Sequence, residues 1–269
     1  MHEQTVSAAS LAIVGMLVLL NGALSLWLGL GIARSLVIAG ARMVVQLLLV
    51  GLVLGTVFEL GSPWLVAAVL GAMLASAAWE TRSRQQLRFA GHWGYSLGAG
   101  TIVIATVPVT GLAVALLHPD PWFAPQFSVP MFGIILGNAM SGISVSLDAF
   151  NTAIARERRS IEARLALGAS RHEALAGIRR AALKSGIIPL VNQMSAAGII
   201  TLPGMMTGQI LAGMPPSDAA KYQIFVLFLI AGATGLGATA AVLGASWRAT
   251  DARHRLRLDR LQASWREAR

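Results

Sequence analysis

The sequence predicts an all-α polytopic membrane helix bundle of about seven transmembrane helices, with a cytosolic helix-turn-helix coupling loop. Three observations predict it. First, 55% of the 269 residues are hydrophobic and 12% are charged, with a mean hydropathy of +0.67; a soluble domain carries about 25% charged residues. Second, the apolar residues form continuous runs of the length a helix needs to cross hydrocarbon, about 20 residues. A transmembrane β-barrel would alternate apolar and polar residues instead. Third, the basic residues are distributed asymmetrically along the chain.

The runs fall at 7–30, 36–58, 63–80, 94–117, 129–150, 187–213 and 222–247. The first begins within the N-terminal MHEQTVSAAS, which lacks the basic region of a cleaved signal peptide. The second carries Arg42 and Gln46, one helical turn apart. The third is short and ends at Trp79-Glu80. A Pro-rich stretch from His118 to Pro130 separates the fourth from the fifth. The sixth contains Leu202-Pro203-Gly204 near its middle, and the seventh leads into a basic tail at about 248–269.

With the N-terminus outside and the C-terminus inside, all the Lys and Arg except Lys221 lie on or near the inner face. Arg34 stands just before the second run and Arg42 within it, three lie at 82–88, eight from Arg156 to Lys184, and seven in the tail. Positive flanks resist translocation, so this asymmetry sets both count and direction. The net charge of +9 then reflects topology, and nucleic acid is not expected as a partner. With no cysteine, disulfides and thiol chemistry are excluded. A single transmembrane domain is expected over 1–269. Gly51/Gly55, Gly94/Gly98, Gly133/Gly137 and Gly204/Gly208 suit close helix packing, within the bundle or in a dimer.

The polar stretch from Arg156 to Lys184 lies in a loop at about 151–186. Ala149 to Leu167 reads as a helix of good helix formers. Gly168 can end it in a left-handed conformation. Ser170 and Glu173 then form a capping box that starts a second helix. Ala163, Leu165, Ala166, Leu167 and Ala169 provide a small apolar tip. A purely solvated basic loop is the alternative, and it would need neither the punctuation nor the tip.

Glu162-Ala163, followed by Gly168, resembles the EAA-type coupling loop of ABC-transporter permeases. Pro189 stands later than the proline of importers in that class. The second half is similar over more motifs: Gly137 to Ile143, Leu165 to Ser170, the LPGMMTGQILAG segment at 202–213, and Tyr222-Gln223-Ile224. On these the chain resembles the FetB-type permease family, bacterial iron exporters that resemble the membrane subunit of a plant aluminium-tolerance transporter. The resemblance implies a permease homodimer in the bacterial inner membrane, working with separate cytosolic ATPase subunits that hold ATP and Mg. It implies coupling through Glu162, Ala163, Leu165, Gly168, Ala169 and Ser170. Iron or another metal is the implied cargo, and sugar-nucleotide transport is also associated with relatives. No cofactor is expected in this chain, whose sequence contains no GxxxxGK[ST] phosphate loop.

Polar residues in spans are costly against lipid and usually face the bundle interior or a path. Arg42, Gln46, Asn138, Asn192 and Gln209 are therefore transport-path candidates. Pro203 joins them because broken helices in transporters expose backbone groups to ions and substrates; a plain kink is the alternative. Met194, Met205 and Met206 lie in the same segment, either as soft donors or as packing. Asp148 and Glu80, near the inner surface, are read as snorkelling or paired. Five scattered His offer no paired-ligand spacing, so no metal ligands are assigned. No nucleophile–base arrangement is visible, and the chain reads as a transport subunit rather than an enzyme. A stand-alone secondary transporter or channel would need internal repeats or mid-membrane ionisable residues, and a scaffold would leave the broken segment without a use.

Overall fold

The computed structural model describes residues 7–251 and 253–263. These form ten α-helices and two short strands in two compact units, Met1–Ser62 and Pro63–Arg269.

The first unit is a hairpin of α1 (Ala8–Trp27) and α2 (Ala33–Leu60). The side chain of Ser7 caps α1 by accepting the Ser10 N–H at 3.1 Å. The connection turns through Gly29 and Gly31, both with positive φ. Buried Ser25 ties it down: its carbonyl accepts the Leu30 N–H at 2.9 Å and its hydroxyl accepts the Ile32 N–H at 3.3 Å. Most aliphatic side chains on both helices are exposed. Such surface is stable only where the surrounding solvent is hydrocarbon.

The second unit contains α3 (Pro63–Ser83), β1 (Leu87–Phe89), α4 (Trp93–Leu117), α5 (Pro125–Arg156), α6 (Arg158–Ala166), α7 (Arg171–Ala174), α8 (Ala176–Ala196), α9 (Gly204–Leu211), α10 (Pro216–Arg248) and β2 (Leu261–Ala263). Its central helix is α5, which packs against α3, α4, α8 and α10. Ile102, Ile135, Ile143, Phe150 and Val242 are wholly buried around it. The helices approach closely where side chains vanish. A Cβ on Gly142 would meet Thr234 Cγ2 at 2.5 Å, and one on Gly237 would meet Ile143 Cδ1 at 2.7 Å. Of the Gly pairs expected from sequence, Gly94 and Gly98 are contacts, whereas Gly51, Gly55, Gly204 and Gly208 face open space within their own units.

Six helices among the described residues are long and apolar enough to cross a membrane. The sequence suggested about seven. The difference is 187–213, which is not one helix. Its first part belongs to α8, which starts at Ala176 and carries Arg179, Arg180 and Lys184; seven non-helical residues then precede the short α9. The helix expected over Ala149–Leu167 is likewise divided, at Glu157, between α5 and α6.

The tail does more than satisfy topology. After α10 it turns back, and β2 pairs antiparallel with β1, Arg88 opposite Gln262. Ala90 donates its N–H to the Arg260 carbonyl at 2.8 Å, and Arg260 Nη1 donates to the Arg248 carbonyl at 2.8 Å. The residues at 264–269 lie outside the described region.

Candidate functional site

The α6–α7 turn is built by local hydrogen bonding. Buried Ile161 and half-buried Leu165 hold α6 against the core. Gly168 has φ 92°. Its N–H donates to the Leu165 carbonyl at 3.1 Å, and the Ala169 N–H reaches back to the Arg164 carbonyl at 3.1 Å. These two bonds are the Schellman termination, which favours glycine at the left-handed position. Ser170 Oγ then accepts the Glu173 N–H at 3.3 Å, while Glu173 Oε2 accepts the Ser170 N–H at 2.9 Å. The backbone bond from Ser170, and then its hydroxyl, hold the Glu173 carboxyl below its ordinary 4.5. Ala174 and Leu175 are buried and anchor the far side.

Between the anchors the tip is free. Leu167 is 88% exposed, and Ala163 and Ala166 are exposed beside it. Glu162 is also exposed and pairs with Arg158 at 2.8 Å. An exposed pair of this kind contributes little to stability. The structure therefore gathers Glu162, Ala163 and Leu165 on the end of α6 and Gly168, Ala169 and Ser170 in the turn that follows it. The tail meets it: the Arg171 N–H donates to His254 Nδ1 at 3.2 Å.

The break after α8 covers Ala197–Pro203. Gly198 has φ 85°, its N–H donates to the Thr201 carbonyl at 2.9 Å, and the Thr201 N–H donates to the Ala196 carbonyl at 3.0 Å. Pro203 is the N-cap of α9, so it disrupts no helix from within; the sequence reading of a proline that breaks a mid-helix bond is corrected here. Pro189, inside α8, does not end that helix. Met205 and Met206 are half-buried on α9, and Met205 packs on the Val226/Ile230 cluster. Gln209 Oε1 is buried with no hydrogen-bond partner among the described residues. Asn192 and Met194 are exposed on the last turns of α8. Asn138, on α5, donates to the Ile134 carbonyl at 2.9 Å. Arg42 and Gln46 lie on the exposed surface of α2, in the first unit.

A third feature was missed in the sequence. Asn138, Ser141, Val145, Asp148 and Thr152 recur at intervals of three and four, which places them on one face of α5. That face is the open side of an otherwise buried helix. At its α6–α7 end are two cavities. One, of about 270 Å³, is lined by Gln86, Asp148, Thr152, Arg156 and Ser185; the other, of about 240 Å³, by Arg84, Ser141, Ser144 and Asp148. Asp148 lines both. The sequence reading of a snorkelling or paired group is corrected here: Asp148 is turned to the backbone of the loop after α3. Its Oδ1 accepts the Gln86 N–H at 2.6 Å. Buried Asn151 fixes the same loop by donating to the Leu87 carbonyl at 2.9 Å.

Six long apolar helices, an interrupted seventh segment and a polar helical loop define a multi-pass, all-helical membrane protein. The chain belongs to the UPF0014 family, described as an uncharacterised protein family, which it matches over residues 8–249. It is 41% identical over 220 residues to a UPF0014 membrane protein of Synechocystis, covering 80% of this chain and 83% of that one. It is 28% identical to FetB of Escherichia coli K12, named a probable iron export permease protein, over 97% of this chain and 99% of that one. It is 30% identical to ALUMINUM SENSITIVE 3 of Arabidopsis thaliana, over 84% and 80% of the two chains. No solved structure matches.

Proposed function

We propose that this chain is the membrane permease subunit of an ATP-driven exporter of iron or another metal ion, acting as a homodimer with a separate cytosolic ATPase. The observation that carries the reading is the α6–Gly168–α7 turn. It is rigid at its base through the Schellman bonds and the capping box, yet apolar and exposed at Leu167. Exposed apolar surface on a rigid support suits docking into a complementary groove. The name of the Escherichia coli relative, which covers nearly the whole chain, supports iron as cargo. The name of the Arabidopsis relative ties a second metal, aluminium, to the same family.

The orientation that goes with this reading has the N-terminus outside, the C-terminus in the cytosol and the bacterial inner membrane as the location. It is supported by the placement of every basic residue but Lys221. Single cysteines at Ser62, Asp120 and Ser217 should react with an impermeant thiol reagent in intact cells, and those at Ser83 and Ser160 should not. The functional test is co-expression with an ABC ATPase encoded beside it. Co-purification and iron-stimulated ATP hydrolysis in proteoliposomes are expected. Failure of every neighbouring ATPase to co-purify would sink the coupled reading and leave a permease working alone.

A further inference from the structure

We propose that Asp148 is the capture point for a hydrated metal cation at the cytosolic mouth of the bundle. The proposal rests on the permease reading for its direction, and on the two cavities that share Asp148 for its chemistry.

Charge singles out this residue. The two guanidinium groups at the cavity rims have carboxylate partners: Arg84 with Glu80 at 3.2 Å, and Arg156 with Glu157 at 3.2 Å. Asp148 forms no ion pair among the described residues, and its one bond there is to the neutral Gln86 N–H. A carboxylate that receives one amide hydrogen keeps several lone pairs unused. The cavity therefore holds a negative charge that a cation can compensate.

The surrounding hydroxyl groups are turned the right way for a cation. Ser141 donates to the Gly137 carbonyl at 2.9 Å, Ser144 to the Met140 carbonyl at 2.7 Å, and Ser185 to the Ala181 carbonyl at 3.1 Å. Each hydroxyl has a single proton, and here it is already committed to the helix. What these serines present to the cavities is acceptor oxygen. Thr152 Oγ1 is buried at the edge of the larger cavity and has no partner among the described residues. Half of the larger cavity's wall is Ala and Ile, and the oxygen atoms of Asp148, Thr152 and Ser185 beside it favour a hard cation over a soft one.

The cation must keep most of its water. No group of three or more His, Cys, Asp or Glu stands close enough to strip an ion among the described residues. One or two carboxylates with retained waters is the way small hard divalent ions are commonly held. The larger cavity measures about 270 Å³. Six waters at about 30 Å³ each fit within that space. Their hydrogens would point outward, where Ser185 and Thr152 line the larger cavity. A single carboxylate also binds loosely enough to let the ion leave, which conduction requires. From Asp148 the open face of α5 continues through Ser141 to Asn138, about 15 Å at 1.5 Å per residue.

The test is titration of the purified full-length chain with Mn(II), reading free Mn(II) by electron paramagnetic resonance. Wild type should show one weak saturable site per chain. Asp148→Asn should weaken it at least about tenfold, whereas Asp148→Glu should keep it. The asparagine retains Oδ1 for the Gln86 N–H, so thermal melting should be unchanged. If Asp148→Asn does not fold, Thr152→Val serves instead and should weaken binding by a smaller factor. Binding by the folded variant equal to wild type, or no saturable site in wild type, overturns the proposal. The ATPase is absent from this titration. Its failure leaves co-purification with the ATPase untouched, and failed co-purification leaves the ion site standing.

Discussion

Gly186 of α8 lies against Gly142 of α5 so closely that a Cβ on Gly186 would stand 2.5 Å from the Gly142 carbonyl oxygen. The same Cβ would also collide with the Ser146 side chain. Backbone cannot retreat as a flexible side chain can. Gly186→Ala should therefore lower the stability of the purified protein by about 1–3 kcal/mol, the usual cost of overpacking. Gly208→Ala on α9 meets nothing within 4 Å. It should be neutral or stabilising by up to about 1 kcal/mol. Thermal melts of the two variants in the same detergent check both signs.

Gly168→Val places a β-branched residue at φ 92°. The left-handed conformation costs an L-residue about 1–2 kcal/mol. The variant should insert in the membrane and melt near wild type, because the strain is confined to an exposed turn. Co-purification with the ATPase should fall, and Gly168→Asn should be tolerated better. Wild-type co-purification of Gly168→Val would remove the turn from the docking surface.

The capping box should fail in acid. The folded-state carboxyl of Glu173 titrates below its ordinary 4.5, through the backbone and then the hydroxyl bond of Ser170. A depressed carboxyl stabilises the fold above its unfolded value and loses that contribution as pH falls through the folded value. Hydrogen exchange at the Ser170 amide, corrected for intrinsic rate, should therefore be protected at pH 6 and lose protection below about pH 4.5. In Glu173→Gln the protection should no longer depend on pH over this range.

Asn151 is wholly buried, and its Nδ2 donates to the Leu87 carbonyl at 2.9 Å and to Gln85 Oε1 at 3.3 Å. Asn151→Leu leaves those acceptors unpaired in the interior, at a cost of about 1–3 kcal/mol. The expected result is a lower melting temperature and faster proteolysis between α3 and α4, where β1 is held.

Gln209→Leu should leave stability unchanged or raise it, because the variant removes a buried carbonyl oxygen that lacks a partner among the described residues. If α9 borders the transport path, iron efflux in the reconstituted complex should fall. Pro203→Ala should not straighten the segment, since Ala197–Pro203 is already outside the helices and Gly198 sits at φ 85°. Unchanged efflux in Gln209→Leu would take α9 out of the path.

The sequence alone determined membrane placement, the helical class and the Gly168–Ser170–Glu173 punctuation. Each depends on residues within a few positions of one another: hydropathy over one run, a left-handed stop, a cap and its reciprocal acid three residues later. It also located the interruption in the LPGMMTGQILAG segment, but attributed it to Pro203. The structure places the departure earlier, at Ala197 and Gly198, and makes Pro203 the start of α9. Only the tertiary structure decided which glycines are contacts. Gly142 and Gly186 belong to no GxxxG pair singled out in the sequence, and their meaning arises where α5 and α8 meet. Pairing of the tail with Leu87–Phe89, and Asp148 with the Gln86 amide 62 residues away, are likewise products of chain return. Burial and countercharge depend on what the rest of the chain brings alongside, so an isolated aspartate near a helix end reads as a surface group until the cavities around it exist.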